Sequence, residues 1–416
     1  MTLLNELSAE VCQRARMSRD PRFDGRFFVA VKTTGIFCRP ICPANLPKEE
    51  NVEYFSSQAL AVSAGYRPCL RCRPESAPHS WAWKGAETTF LRALTLIEQG
   101  ELDGSLETLA SRLGISDRYL RQLFQRHLGM PPKQYAQIQQ LMFAKQLLHT
   151  SQISITEVAY ASGFQSTRRF NDAFQKLFRL TPTQVRRERA ALPSRNHLSL
   201  AFRGPFDWAH MLDFYRLRAI EGMELIDEQS YQRHFVLGEG TGWFKASMAQ
   251  SHLDIEFEME RLSDLRHLVA RLRRMFDLDA DLISIEAHLE QLAPGLVRRT
   301  GIRIPGVWNA WEAGVRAVLG QQVSVKAAIG QLNLLVSTLA ASEGSTRYFP
   351  TPEQVQMSDL SFLRMPERRK ETLKRLADYV RLHPMDSPMA WLSLSGIGPW
   401  TVDYAQLRGE SRSHCF

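Results

Sequence analysis

Four cysteines near the amino terminus have the types and spacing of a metal site. Cys38 and Cys42 form a C-x3-C pair, and Cys69 and Cys72 form a C-x2-C pair, each on a short turn. Two close thiol pairs joined by one long loop are the ligand pattern of tetrahedral four-cysteine zinc. A disulfide framework is the alternative, and it is disfavoured because neighbouring cysteines on tight turns pair poorly and we expect no secretory signal. The pattern therefore predicts one zinc ion.

Zinc held by four cysteines often serves only the fold, and a chemical role stands beside that interpretation. Cationic residues surround the predicted ligands, namely Lys32, Arg39, Arg67, Arg71 and Arg73. A zinc ion with four thiolates carries two net negative charges, so its sulfurs are deprotonated and electron-rich. Such a sulfur can attack an alkyl group, and methylation would remove one negative charge and reduce repulsion of DNA phosphates. Spacing alone does not choose the reactive cysteine.

The segment at residues 27–74 contains FFVAVKTTGIFCRPICPA and AGYRPCLRCRP. It resembles the amino-terminal zinc domain of the Ada-type alkylation-response regulators. The resemblance implies that Cys38 irreversibly accepts a methyl group from a DNA methyl phosphotriester, with Cys42, Cys69 and Cys72 as the remaining zinc ligands. We expect Arg39, Arg67 and Arg71 to contact the DNA.

Positive charge is concentrated in the middle of the chain. The sequence has 416 residues and a net charge of +8, with 11 Lys and Arg against 8 Asp and Glu in residues 1–80. The numbers are 16 against 9 in residues 81–195 and 25 against 27 in residues 196–416. A basic middle segment predicts a surface for nucleic acid. No run of about 18 apolar residues suggests a membrane span, and the leftover Cys12 and Cys415 fit reduced thiols, so we expect a cytoplasmic, nucleoid-associated protein.

Two similar helical units occupy this basic segment. In GSLETLASRLGISDRYLRQLFQRHLGMPP, Ser105 and Ser116 are predicted to cap two helices that Gly114 separates. After a long helix over residues 132–149, SITEVAYASGFQSTRRFNDAFQKLFRLTPTQVRR repeats the pattern, with a turn at Gly163 and a cap at Ser166. The residues predicted to face inward are Tyr119, Leu120, Leu123 and Phe124 in the first unit and Phe170, Phe174 and Phe178 in the second.

Polar residues are predicted on the outer face of the second helix in each unit. They are Arg118, Arg121, Gln122 and Arg126 in the first unit, and Arg168, Arg169, Asn171 and Lys176 in the second. This is the helix-turn-helix arrangement, and a generic helical bundle with basic faces is the alternative. The portion SGFQSTRRFNDAFQKLFRLTPTQVR closely resembles the AraC-type DNA-binding domain. That resemblance implies two recognition helices on successive major-groove faces of promoter DNA, and we expect RNA polymerase as a partner.

The pattern changes after a predicted boundary at residues 191–196. Alternating runs at residues 197–202, 230–237, 242–249 and 252–259 predict an antiparallel sheet. Helical patterns flank it, including one that Ser263 is predicted to cap. From Asp281 onward the chain is predicted to be helical, with an interruption at residues 320–322.

The stretch LSGIGPWTVDY, residues 394–404, predicts a hairpin followed by a helix. Gly396 and Gly398 would let the backbone approach a phosphate, which the amides at the helix start can bind. Trp400 and Tyr404 share one helix face, where ordinary core packing is the alternative to a binding role. With LGQQVS before it, the stretch resembles the helix-hairpin-helix glycosylases, and from His197 onward the chain resembles AlkA-type 3-methyladenine DNA glycosylase II. The resemblance implies that Trp400 and Tyr404 stack on a flipped alkylated base and that Gln322 fills the gap it leaves.

One departure from the glycosylase pattern follows the hairpin helix. That family places a catalytic aspartate there, whereas this chain continues as LRGESRSHCF without one. Asp403 lies inside the predicted helix, one residue before Tyr404, and does not replace it. We therefore expect an incomplete helix-hairpin-helix domain and a lost or severely weakened base hydrolysis.

The sequence as a whole predicts a multidomain, mostly α protein. The predicted domains are a small α/β zinc methyl-acceptor domain at 1–80, an AraC-type double helix-turn-helix domain at 85–190, an α+β domain at 196–282 and a glycosylase-like domain at 283–416, with a linker at 75–85. The predicted function joins a stoichiometric methyl acceptor, a transcription activator and a glycosylase-like module that act on double-stranded and alkylated DNA. Two alternatives stay open, a purely regulatory DNA-binding protein and a zinc-stabilised transcription factor that senses something other than methylation.

Overall fold

The computed structural model describes residues 7–20, 23–72, 74, 86–98, 100, 102, 105–187, 196–340, 342–343, 346–384 and 386–412. The predicted linker at 75–85, the cationic Arg73 and the thiol of Cys415 lie outside these residues. The chain divides into two compact units, residues 1–135 and residues 136–416. The bounds of the four predicted domains stay predictions.

The first unit begins with a small sheet and two helices. Their bounds are α1 Ala9–Ser18, β1 Phe28–Val31, β2 Ile36–Cys38, β3 Val52–Phe55, α2 Gln58–Ser63 and β4 Arg67–Pro68. The strand order is β3-β1-β2-β4, in which β1 pairs antiparallel with β2 and β3, while β2 pairs parallel with β4. Alternation along β1 places Val29 in a core with Cys12, and Ala30 in a second core with Phe37. This small α/β arrangement holds the ends of β2 and β4 side by side.

A helical group completes the first unit. Its helices are α3 Ala86–Glu98, α4 Leu106–Arg112 and α5 Asp117–Leu128, and α6 Pro132–Thr150 then crosses from the first unit to the second. The predicted caps are confirmed, because the Ser105 and Ser116 hydroxyls accept hydrogen bonds from backbone N–H groups at 3.1 and 3.2 Å. Leu120 and Phe124 are buried as predicted. Tyr119 is 38% exposed, so its predicted inward orientation is wrong; it lies about 100° around the helix from Leu120.

The second helix-turn-helix unit consists of α7 Ile155–Ala161, α8 Thr167–Phe178 and α9 Pro182–Arg187. A capping box at Ser154 and Glu157 starts α7. Phe170 and Phe174 are fully buried, and Phe178 is half-buried. Ser166 does precede α8, but its side chain makes no capping hydrogen bond.

A five-stranded antiparallel sheet follows, as the alternating runs predict. Its elements are β5 His197–Ala201, α10 Trp208–Arg216, β6 Glu224–Ile226, β7 Ser230–Leu237, β8 Gly240–Met248, β9 His252–Met259 and α11 Leu265–Met275. The strand order is β5-β9-β8-β7-β6. The edge strand β6 has only three residues, too few for an alternating pattern to reveal it. The predicted cap at Ser263 is wrong, because residues 262–264 form a 3₁₀ turn and Asp264 precedes α11.

The remaining elements are mostly helical. They are α12 Leu282–Leu292, α13 Ala310–Leu319, α14 Val325–Leu339, β10 Ser342–Glu343, β11 Thr346–Arg347, α15 Pro352–Met357, α16 Glu367–Leu382, a 3₁₀ turn Pro388–Ser393 and α17 Pro399–Glu410. The interruption predicted at residues 320–322 separates α13 from α14. Trp311, Leu376, Trp391 and Val402 belong to one buried core that joins these helices. Within the described ranges, no helix combines the length and apolar content needed to cross a bilayer.

A buried ion network connects the sheet with α13. The Arg233 guanidinium donates to Glu224 at 2.8 Å and to Glu312 at 2.5 Å, and Arg316 lies 2.8 Å from Glu312. Burial alone would raise the pKa of Glu312, but the two guanidinium groups outweigh burial and hold that pKa below its usual range. Glu312 is therefore a carboxylate with no contact with water, held by its partners.

Candidate metal centre and nucleic-acid interface

The sheet of the first unit brings the two cysteine pairs together. Cys38 is the last residue of β2, and Cys69 directly follows β4, whose Pro68 pairs with Phe37. The Cys69 N–H donates to the Phe37 carbonyl at 3.0 Å, which fixes this register. All four cysteine sulfurs lie within 4.8 Å of one another. The four predicted ligands therefore form one cluster, with the donor set that tetrahedral zinc prefers.

The four thiols are better suited to bind a divalent cation than to share protons with one another. The hydrogen bond from the Cys38 thiol is the largest cause that lowers the pKa of Cys42 to about 2. The same contact raises the pKa of Cys38 above its usual range, and burial adds to this effect. Four close sulfurs thus cannot all lose their protons without a positive charge between them, and a metal ion supplies that charge.

Cys38 differs from the other three cysteines in exposure, and from two of them in hydrogen bonding. Cys42, Cys69 and Cys72 are 7%, 8% and 7% exposed, whereas Cys38 is only half-buried. The Arg39 N–H donates to the Cys72 sulfur at 3.3 Å, and the backbone of Ala44 hydrogen-bonds the Cys42 sulfur. In the described part of the chain, no backbone N–H donates to the Cys38 sulfur. Hydrogen bonds stabilise thiolate charge, so the Cys38 sulfur is the most accessible of the four and lacks the backbone donors that stabilise the sulfurs of Cys42 and Cys72.

Arg39 supports the cluster from inside, which corrects its predicted role at the DNA surface. Its side chain is buried and forms an ion pair with Asp24, with a Nε to Oδ1 distance of 2.8 Å. It also donates to the Cys72 carbonyl at 3.3 Å. A guanidinium occupied in this way does not reach a DNA phosphate. Arg67 and Arg71 are exposed, and their role at the DNA surface stays a prediction.

The predicted recognition helices present their polar residues to solvent. Arg118, Arg121 and Gln122 are exposed on α5, opposite the buried Leu120 and Phe124. Arg168, Arg169 and Asn171 are exposed on α8. Arg121 pairs with Asp117 at 3.2 Å, an exposed contact that is easily exchanged for a phosphate. Both helices therefore expose polar side chains on the face opposite their buried residues, and their role in reading the major groove stays a prediction.

The hairpin before α17 is held by two neighbouring elements. Gly396 has a left-handed φ of +92°, and its carbonyl accepts a hydrogen bond from the Gln321 side chain at 3.1 Å. Thr372 of α16 donates to the Ser395 carbonyl at 3.4 Å. Gly398 caps α17 without a side chain. Gln322 is exposed in the turn after α13 and adopts a φ of +55°, so that turn projects it outward.

The two aromatic residues of α17 form an exposed stack. The rings of Trp400 and Tyr404 lie 5.4 Å apart with an interplanar angle of 27°. Trp400 is 52% exposed, so core packing does not explain it. Tyr404 is half-buried and lines a small cavity with Phe214 and Arg218, whose guanidinium lies 3.9 Å above the Phe214 ring. Asp403 lies on the same helix, one residue before Tyr404, as the sequence requires.

The functional residues that sequence reasoning missed are those with distant partners. Asp24 is 15 residues from Arg39, and no local pattern signals their ion pair. Phe214 and Arg218 lie on and just after α10, nearly two hundred residues before Tyr404.

Three family models match successive parts of the chain. The metal binding domain of Ada matches residues 11–75, a helix-turn-helix domain matches residues 109–188 and the AlkA N-terminal domain matches residues 197–309. A probable bifunctional transcriptional activator/DNA repair enzyme AlkA of Mycobacterium tuberculosis is 34% identical over 425 residues, which cover 96% of this chain and 86% of that relative. The chain belongs to this family of bifunctional transcriptional activator/DNA repair enzymes.

Each part of this family member also resembles a separate Escherichia coli protein. The bifunctional transcriptional activator/DNA repair enzyme Ada is 35% identical over 170 residues, 41% of this chain and 47% of that protein. DNA-3-methyladenine glycosylase 2 is 33% identical over 229 residues, 51% of this chain and 80% of that protein. The predicted resemblances to Ada and AlkA proteins are therefore confirmed at the level of the family.

Replacing Gly396 by alanine in this family member is expected to lower the free energy of unfolding by about 1–3 kcal/mol. The new methyl group would overlap the Thr372 side chain, in a backbone conformation that L residues rarely adopt. Gly398→Ala is the matched control, because a Cβ there meets no heavy atom within 4 Å. Urea unfolding of the two variants measures the difference, and equal midpoints would contradict the assignment of strain to Gly396.

Proposed function

We propose that Cys38 takes a methyl group from a methyl phosphotriester in duplex DNA. The observation that carries this proposal is that Cys38 is the half-exposed member of a sulfur cluster whose other three members are buried. The Cys38 sulfur attacks the methyl carbon, an S–C bond forms and the C–O bond breaks. The electron pair of that bond stays with the phosphate oxygen, which restores the ordinary diester. The new S–C bond of the methylated cysteine is not broken again, so each protein molecule accepts only one methyl group.

Zinc fits this chemistry because it keeps the sulfurs deprotonated without a separate base. The residues that would hold it are the three buried cysteines and Cys38 itself. Cys42, Cys69 and Cys72 fix the cluster, and Arg39 orients Cys72 through its backbone N–H and its guanidinium. Arg67 and Arg71 hold the phosphodiester backbone beside the exposed sulfur.

Methylation also changes how the first unit interacts with DNA. The reaction removes one negative charge from the cluster and so weakens its repulsion of nearby phosphates. At a separation of a few ångströms one charge changes binding by roughly 1–2 kcal/mol, or about tenfold. Tighter binding then lets the polar faces of α5 and α8 engage a promoter, and RNA polymerase is the expected partner of that complex.

The part from residue 197 onward acts on alkylated bases in this proposal. Trp400 and Tyr404 offer stacked aromatic faces, Gln322 projects toward the duplex and the hairpin at Gly396 and Gly398 binds a phosphate. The enzymatic interpretation and the purely regulatory interpretation differ in one product, the free base. Release of base from alkylated duplex by the purified chain separates them.

The test of methyl transfer is mass spectrometry after incubation with a duplex that contains methyl phosphotriesters. Trypsin does not cleave before proline, so residues 33–48 form one peptide with both Cys38 and Cys42, and fragment ions must locate the methyl group. We expect one added methyl on Cys38 and a roughly tenfold higher affinity for promoter DNA. Methyl on a different cysteine, or on none, would refute the assignment.

A further inference from the structure

A cluster of basic residues surrounds the start of α16, outside the sites described above. Residues 364–375 contain six Arg and Lys and two Glu. Two of the cations have partners, since Lys370 pairs with Glu367 at 3.4 Å and Arg375 pairs with Glu371 at 2.7 Å. The other four cations, Lys374 and the three arginines Arg364, Arg368 and Arg369, make no ion pair within the described part of the chain. We call these three residues the arginine cluster.

The three residues of the arginine cluster lie at positions where they contribute little to the stability of the fold. Arg364 and Arg368 are exposed, and Arg369 is half-buried. Arg368 and Arg369 occupy the first turn of a 16-residue helix, where the helix dipole disfavours positive charge. Glu367 at the start of the helix offsets part of this charge, but its ion pair is with Lys370 and not with either arginine. Such a surface fits a polyanion rather than a protein core.

The same helix connects the arginine cluster to the hairpin. Thr372 and Arg375 both donate to the Ser395 carbonyl at 3.4 Å, directly before Gly396. The Thr372 hydroxyl also donates to the Arg368 carbonyl, one turn earlier. Helical spacing places positions 368, 372 and 375 along one side of α16, so Arg368 extends that side beyond the hairpin. Arg368 and the hairpin contacts thus lie along one side of α16.

We propose that the arginine cluster binds phosphates of duplex DNA that flank the phosphate held by the hairpin. This inference rests on the proposed function of the part from residue 197 onward. The hairpin offers backbone amides to a single phosphate, whereas guanidinium groups grip neighbouring phosphates in paired hydrogen bonds. The cluster makes the footprint longer without reading sequence. It therefore raises affinity for any duplex, damaged or not, at low salt.

The salt dependence of DNA binding by the full chain tests this proposal. Each lost phosphate contact lowers the slope of log K against log salt by about 0.9, whichever other contacts remain. We expect Arg368→Gln with Arg369→Gln to lower the slope by about two units on a duplex with a stable abasic site. Arg381→Gln is the matched control at the far end of α16, where Arg381 pairs with Asp378 at 2.8 Å, and its slope should equal that of the wild type.

Trp400→Ala separates failure of this inference from failure of the proposed function. If Trp400→Ala weakens binding to the abasic duplex but the double arginine variant keeps the wild-type slope, the arginine cluster does not bind DNA and the aromatic site stands. If neither variant changes binding, the whole part from residue 197 onward does not engage the duplex, and both proposals for it fall. Methyl transfer to Cys38 is measured in each variant and should be unchanged, which shows that the first unit is intact.

Discussion

Replacing Cys38 by histidine is expected to abolish methyl acceptance while the metal stays bound. Three cysteines and one histidine are a common zinc ligand set, and the half-exposed position of Cys38 leaves room for an imidazole. The variant would lack the sulfur that attacks the methyl carbon but would keep the cation that holds Cys42, Cys69 and Cys72 together. We expect stoichiometric zinc and no added methyl after incubation with methylated duplex, where the wild type gains one.

The control for this variant is Cys12→Ala. Cys12 is buried in a separate core of the first unit and takes no part in the sulfur cluster. The Cys12→Ala variant is therefore expected to accept one methyl group and to bind one zinc ion, which are the values that the proposed function predicts for the wild type. If the Cys38→His protein still gains a methyl group on a remaining cysteine, a different sulfur is the acceptor. If it loses zinc, the fragment-ion analysis of the wild type decides the same question without the variant.

Replacing Glu312 by glutamine is expected to lower the free energy of unfolding of the second unit by about 3–5 kcal/mol. Glutamine keeps the size of the side chain, so the loss reports the charge alone. Arg233 is 1% exposed and would keep only Glu224 as a counter-charge beside a second buried cation, Arg316. Thermal unfolding should show a midpoint that falls on the order of 10 °C.

Glu371→Gln is the control, since it removes a carboxylate from an exposed ion pair and should cost less than about 1 kcal/mol. The pH dependence gives a second measurement. Because the folded-state pKa of Glu312 is depressed, its contribution is complete above the ordinary glutamate pKa and is lost only as the pH falls below that range. The wild type should therefore lose stability faster than Glu312→Gln on acidification. Parallel curves would show that the network does not carry the stability assigned to it.

Local patterns were enough to predict most elements of the fold. Serine at a helix start and regular apolar spacing located α4, α5 and α8, and alternation located four of the five strands of the large sheet. The predictions failed where neighbouring residues could take the same structural position, such as a helix cap or a place in the core. Ser263 has the chemistry of a cap, yet a 3₁₀ turn moves the start of α11 past it. Tyr119 is apolar enough for a core, but Leu120 and Leu123 fill that face first.

In the candidate site, too, local sequence predicted some features and did not predict others. Cysteine spacing predicted the metal cluster, because short loops restrict where two thiols can point. The exposure difference between Cys38 and its neighbours depends on how β2 and β4 pair, which spacing does not encode. Arg39 and Arg233 are the clearest cases of information absent from local sequence. Each looks like a surface cation in its own segment, and each is buried by a carboxylate from elsewhere in the chain.

The support given to Cys72 by Arg39 and Asp24 has a consequence for the lifetime of the signal. None of these contacts involves the sulfur of Cys38, so a reaction at that sulfur removes none of them. On the proposed chemistry the altered molecule then outlives the lesion that produced it, and only growth or proteolysis removes it. On this proposal, the number of methylated molecules reports how much DNA methylation damage has already occurred, and not how much is present. The cell would carry a cumulative dose record, diluted by half at each division.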